Sequence, residues 1–247
     1  MLDKKIIKKN FTRCVATYNS SAKVQLIMAE KLVMLLKEKG MAGFASVLEV
    51  GAGTGILTSL MLNEFSIDSY IANDIIDNYH QLLENIAKDI KFIDGDIEDI
   101  VINQKFDLII ANAVFQWIDN LDILFEKLKC NMNENSLLAF STFSKDNFCE
   151  VKDVLGVSLG YLDKETLYSI LVKYFKTIVI VEFEEKLFFD SFKDILQHIK
   201  DTGANNLGVT KLSKSKLGNM EIQARKYAIN DKLPLTYKPL LIICSVE

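Results

Sequence analysis

Between residues 46 and 141 short apolar runs alternate with stretches whose apolar residues recur at helical spacing. Ser46 to Val50, Asp68 to Asn73, Ile90 to Ile93, Phe106 to Ala111 and Ser136 to Ser141 read as strands. The run FDLIIA from Phe106 is nearly continuous in apolar residues, as a strand covered on both faces is. Thr54 to Glu64, Ile75 to Ala87 and Leu121 to Cys130 read as the helices between them. Strands and helices in alternation predict an α/β fold with a doubly wound, mostly parallel sheet. Its right-handed crossovers gather the strand-to-helix loops on one edge.

Outside that stretch the pattern is less regular. Val24, Ile27, Met28, Leu32, Leu35 and Leu36 predict a helix capped by Asn19, Ser20 or Ser21 and ended by Gly40 and Gly43. The preceding segment, Phe11 to Gln25, is polar for a helix and is expected to cross the site. Later helices are expected at Asn147 to Leu155, Asp163 to Lys173, Phe192 to Lys200 and Gly218 to Ala228, with strands at Lys176 to Phe183 and Tyr237 to Val246. Residues 190–230 would form a lid between the last two strands. No repeat or Gly-, Ser- or Pro-rich linker interrupts the chain, so 1–247 is expected to be one domain, with a helical segment over 1–40.

Composition excludes several classes. With 49% hydrophobic and 25% charged residues in 247, and a mean hydropathy of +0.15, no apolar run approaches a membrane span. The opening MLDKKIIKKN lacks the apolar stretch of a secretory signal, so a cytoplasmic location without membrane contact is expected. A net charge of −4 argues against nucleic acid as partner. Cys14, Cys130, Cys149 and Cys244 form no C-x-x-C, and His80 and His198 are the only histidines, so no metal site is expected.

The chemistry centres on SVLEVGAGTGILT, residues 46–58. A strand ends in Glu49 and Val50, and a turn carries Gly51, Ala52, Gly53 and Gly55 before a helix. A dinucleotide site would require G-x-G-x-x-G, to set a pyrophosphate on a helix N-terminus. That last position is Ile56. E-x-G-x-G-x-G instead points to a cofactor without phosphate, S-adenosylmethionine, held by its amino acid and nucleoside parts. Asp74, with Ile75 beside it, lies one crossover helix further on, where a carboxylate can accept both ribose hydroxyls; alternatively it caps the next helix. Asp96 and Ile97 would meet the adenine, or belong to a solvated acidic turn with Asp94, Glu98 and Asp99. Asn112 ends the fourth strand at the same edge. Gln25 would hold the methionine part or face solvent.

FTRCVATYNSSAKVQ, VLEVGAGTGILT, NAVFQW, FSTFSKDNFCEV, HIKDTGANNLG and the closing LPLTYKPLLIICSVE together resemble class I S-adenosylmethionine-dependent methyltransferases. More narrowly they resemble the malonyl-acyl carrier protein O-methyltransferases of biotin synthesis, over nearly the whole chain. Asn135 and Ser144 stand where such relatives place glycine. The resemblance implies a seven-stranded sheet with a helical lid, and methylation of the free carboxylate of a malonyl thioester, leaving S-adenosyl-L-homocysteine. A carboxylate of pKa about 4 is already ionised at neutral pH, so positioning groups and no acid–base pair are expected. Tyr18, Gln116 and Trp117 would position the substrate, and Arg13, Lys145 or Lys200 would meet its charge. Lys211, Lys214, Lys216, Arg225 and Lys226, joined by Lys4, Lys5, Lys8 and Lys9, would face the acyl carrier protein, with malonyl-coenzyme A as the other carrier. A methyltransferase of another small molecule, such as a free acid or quinone precursor, and a non-catalytic cofactor-binding module remain as alternatives.

Overall fold

The computed structural model describes residues 3–157, 160–204 and 213–246. In chain order the elements are α1 (Lys4–Ser21), α2 (Lys23–Glu38), β1 (Gly43–Val50), α3 (Ile56–Glu64), β2 (Ser66–Asp74), α4 (Tyr79–Glu84), β3 (Lys91–Asp94) and β4 (Phe106–Asn112). A 3-10 turn (Phe115–Trp117), α5 (Leu121–Cys130), β5 (Met132–Phe143), α6 (Cys149–Leu155), α7 (Lys164–Leu171), β6 (Ile178–Glu182) and β7 (Glu185–Phe189) follow. The chain ends with α8 (Phe192–Asp201), α9 (Lys214–Ala224), a second 3-10 turn (Arg225–Tyr227), β8 (Leu233–Tyr237) and β9 (Pro239–Ser245).

Seven strands pair in the order β3-β2-β1-β4-β5-β9-β6. The pairs from β3 through β5 are parallel, and β9 runs antiparallel to both neighbours. Successive side chains of a strand face opposite sides, so Leu108 and Ile110 of β4 join one apolar layer with Val24, Met28 and Leu32 of α2. Ile109 and Ala111 join the other, with Leu124 and Phe125 of α5. Strand order reverses between β1 and β4, and the crevice outside their carboxyl ends is where such sheets take ligands.

Several elements depart from expectation. The polar N-terminal segment is a helix: Ile7, Phe11, Cys14 and Tyr18 fall at intervals of four, three and four on α1, one inward stripe amid lysines and threonines. The helix expected from Ile75 is confined to Tyr79–Glu84. β5 starts earlier than Ser136, and its register against β4 shifts between Phe106 and Leu108. Asn135 absorbs the irregularity at φ 59°, a left-handed conformation that explains why glycine would suit that position. The final run divides at Lys238 into β8 and β9, and β8 leaves the main sheet to pair with β7. Residues 190–230 accordingly lie between β7 and β8.

Candidate active site

The turn after β1 is held from β2. Ala52 N donates to Asn73 O at 3.0 Å, and Gly53 N donates to Asp74 Oδ2 at 2.8 Å. Asp74 Oδ1 accepts from Ile76 N at 2.9 Å, so its carboxylate organises the turn and does not cap α4, whose N-cap is Asn78. Burial raises the Asp74 pKa to about 6 against the pull of those backbone donors. The Ile75 N–H adds to that pull.

A pocket of about 730 Å³, counted with its mouth, opens here, lined by Gly51, Gly53, Asp74, Ile75, Asp96, Ile97 and Asn112, and by Tyr18 and Trp117. Eight of these nine come from the strand ends and turns; Tyr18 comes from α1. That helix also contributes Lys4, Ile7 and Phe11. Lys4 Nζ lies 3.2 Å from Asp96 Oδ2 and 2.5 Å from Glu98 Oε2. Lys4 is thus partly buried and engaged by two carboxylates, and Asp96 carries an ion pair within the protein.

Trp117 and Tyr18 form a partition. Behind it lies a narrow inner cavity, about 310 Å³ when counted with its openings, lined also by Gln25, Gln116, Tyr161, Thr202 and Tyr237. Phe11 packs edge-on against Trp117 at 5.7 Å and near Tyr18 at 6.2 Å. Gly203 admits it: a Cβ there would meet the Phe11 ring at 2.6 Å, and its φ is 76°. Gln25 Oε1 and Trp117 Nε1 are buried without a partner among the described residues. Gln116 has both ends engaged, Nε2 donating to Ala113 O at 2.6 Å and Oε1 accepting from Thr142 at 3.2 Å. Asn112 ties α2 to the sheet edge, Nδ2 donating to Gln25 O and Oδ1 accepting from Ser141.

Other expected site residues lie elsewhere. Glu49 turns away from the pocket: its Oε2 accepts from Thr58 at 2.5 Å and from Tyr70 at 2.7 Å, because the residue faces the opposite side of β1 from Val50. Ala52 and Gly55 do not line the pocket. Gly55 instead lets α3 approach, since a Cβ would come within 2.2 Å of Ile86. Arg13 and Lys200 are exposed and line neither cavity, and Lys145 is exposed and paired with Asp163 at 3.1 Å. Among the basic residues expected to face a partner, Arg225 bonds the Asp190 and Asp231 carbonyls, Lys226 pairs with Asp153, and Lys216 is exposed. Lys211 and the side chain of Lys214 lie outside the described residues. No pattern marked Tyr161 or Tyr237 in advance, although Lys4, Ile7 and Phe11 share the helical stripe.

Glycine turn, buried aspartate at the next strand end and crevice at the point of reversal define the S-adenosylmethionine-dependent methyltransferases. A family model described as a methyltransferase domain matches residues 15–177. Among solved structures, YcgJ from Bacillus subtilis superposes with a TM-score of 0.65 at 10% identity, covering 88% of this chain and 99% of its own. The N-methyltransferase NodS from Bradyrhizobium japonicum, solved with S-adenosylhomocysteine, gives 0.52 at 13% identity, covering 94% and 99%. The malonyl-acyl carrier protein O-methyltransferase of Chlorobium phaeovibrioides is 34% identical over 249 residues, 98% of this chain and 96% of that protein. The chain belongs to the family of malonyl-acyl carrier protein O-methyltransferases.

Proposed function

We propose that the chain methylates the free carboxylate of a malonyl thioester borne on acyl carrier protein, the reaction named for its relatives, to give the methyl ester used in biotin synthesis. The observation that carries this reading is the inner cavity. Its lining offers hydroxyls, amides and an indole N–H, with no Lys, Arg, Asp or Glu among the described residues. Such a lining supplies no ionised base and suits a nucleophile that arrives already deprotonated.

The pocket fits the cofactor on its own geometry. Asp74 would accept from the ribose hydroxyls and Ile75 and Ile97 would flank the base. Gly51 and Gly53 would present bare backbone to the amino acid part. Gln25 lines the inner cavity and is not among the residues that line this pocket. When bound, S-adenosylmethionine supplies a methyl group on a positively charged sulfonium. Tyr18 and Trp117, shared by both cavities, would hold the substrate carboxylate in line with it. Trp117 Nε1 is a buried donor with no acceptor among the described residues, and a carboxylate oxygen is one. Alignment of this kind lowers barriers by roughly 7–11 kcal/mol. Excluding water favours a step in which opposite charges cancel.

Intact-mass measurement of malonyl-acyl carrier protein, incubated with the enzyme and S-adenosylmethionine, tests the substrate. Gain of one methylene, reversed by an esterase, is expected. Turnover of free acids with an unchanged carrier protein would overturn the reading. The turn is tested by Gly53→Ala. Its added Cβ would meet no protein atom within 4 Å, at a φ of 55°, so the fold should lose only about 1 kcal/mol. The methyl group would project toward the cofactor, and we expect calorimetric affinity for S-adenosylmethionine to fall at least about tenfold. Unchanged affinity would remove Gly53 from the contact surface.

A further inference from the structure

His198 stands behind the inner cavity on α8. Its Nε2 lies 2.8 Å from the hydroxyl of Tyr237, and its ring packs against Phe189 at 5.0 Å and edge-on to Tyr237 at 6.2 Å. Burial lowers its pKa to about 4, with Asp201 on the same helix raising it and Lys23 of α2 lowering it. The ring is therefore neutral at neutral pH, with one N–H and one acceptor nitrogen.

That neutrality leaves two polarities for the His198–Tyr237 bond. If Tyr237 donates, its proton is consumed by the histidine and a bare oxygen faces the cavity, repelling a carboxylate. If Nε2–H donates, the phenol proton is free to point inward. Tyr237 is 1% exposed and lines the cavity. Burial pushes its pKa up, and Tyr161 and Tyr18 push it the same way, so the phenol keeps its proton. An anion in the cavity selects the second polarity.

We propose that His198 is a positioning residue for the substrate carboxylate: its Nε2–H donates to the Tyr237 oxygen, turning the Tyr237 hydroxyl proton toward the oxygen that does not attack. The inference rests on the malonyl carboxylate occupying the inner cavity, as proposed above. A relay of neutral groups orients the anion without cancelling its charge. A lysine or arginine in the same place would stabilise the ground state more than a transition state in which that charge is vanishing. The ester product, with its charge gone, accepts more weakly from the same donors and leaves.

Steady-state kinetics with malonyl-acyl carrier protein, alongside calorimetry with S-adenosylmethionine, tests this on the full-length enzyme. His198→Phe should raise KM for the carrier substrate about tenfold, the loss expected for one uncompensated hydrogen bond, with cofactor affinity unchanged. His198→Gln, whose side-chain N–H can still donate, should recover KM to within about threefold of wild type. Wild-type KM should stay level between about pH 6 and 8, because the working form is the neutral ring. Three results would overturn the proposal: a His198→Phe KM equal to wild type, a His198→Gln KM as poor as that of His198→Phe, or a wild-type KM that climbs between those pH values and flattens in His198→Phe. Wild-type enzyme inactive on the malonyl carrier would overturn the substrate reading and this inference with it. Normal wild-type turnover with unaffected variants would overturn this inference alone.

Discussion

Asp74→Asn is expected to weaken S-adenosylmethionine binding by about 100-fold or more, measured by calorimetry at neutral pH. Asp74 holds the glycine turn through Gly53 N at 2.8 Å and anchors Ile76 N at 2.9 Å, and it lines the pocket. Two charge-assisted bonds to ribose hydroxyls, each worth roughly 1.5–3 kcal/mol, account for an effect of that size even if asparagine keeps one acceptor. A pH signature accompanies it. Burial, opposed by the backbone donors, leaves Asp74 with a pKa of about 6 in the ligand-free protein, while the ribose favours the ionised form. Wild-type affinity should therefore fall by about tenfold per unit as pH drops below that value, and the asparagine variant should not follow it. Affinity within about threefold of wild type, or an identical pH slope in the variant, would assign the ribose to another residue.

Asp74 was legible from the chain because its place follows from spacing: one strand, one glycine turn and one crossover helix return to the same sheet edge. The glycine turn and the buried strands were legible for the same local reasons, apolar runs and punctuation. Glu49 misleads because E-x-G-x-G places an acid beside the turn without stating which face of β1 it occupies. One residue along a strand decides between the pocket and the layer that holds Thr58 and Tyr70. The helix α1 was obscured by its lysines, although Ile7, Phe11, Cys14 and Tyr18 repeat at helical intervals. Its inward stripe covers a ligand pocket, so it is shorter and less apolar than a core stripe.

The cations mislead for a different reason. A bound carboxylate suggests a positive partner, and the sequence offers Arg13, Lys145 and Lys200 in family-like segments, but burial is not written in residue type. Arg13 lies on the outward side of α1 and Lys145 is taken by Asp163. Among the residues that line the inner cavity, Tyr18, Trp117, Tyr161 and Tyr237 come from four separate segments that meet only when β8 leaves the main sheet and carries Tyr237 under α8. Long-range pairing of that kind has no local signature. The same step brings Asn147 Oδ1 to Lys238 N at 3.0 Å and Glu150 Oε2 to Thr236 N at 3.0 Å, so the cavity wall and the small second sheet are built by one set of contacts.

Glu49→Gln is expected to stabilise the ligand-free protein at pH about 8, by an amount that disappears on acidification. Burial raises the Glu49 carboxyl from its ordinary 4.5 to about 7 even though Thr58 and Tyr70 donate to it. A carboxyl whose folded pKa exceeds its unfolded value contributes stability that is complete below the unfolded pKa and is lost as pH rises through the folded one. Above neutrality wild type therefore folds around a desolvated charge. The shift from 4.5 to about 7 corresponds to a cost on the order of 3 kcal/mol. Glutamine keeps an acceptor for the two hydroxyls and removes the charge. In a domain of this size the gain should appear as a rise in melting temperature of roughly 6–12 °C. It should shrink steadily from about pH 7 downward and be nearly gone by about pH 4.5, where the wild-type carboxyl is protonated in the folded state and half protonated in the unfolded one. An equal gain at both ends of that range would show that packing, not charge, was relieved. A loss at alkaline pH would show that the fold compensates the carboxylate, and that Glu49 serves the adjoining pocket through its charge.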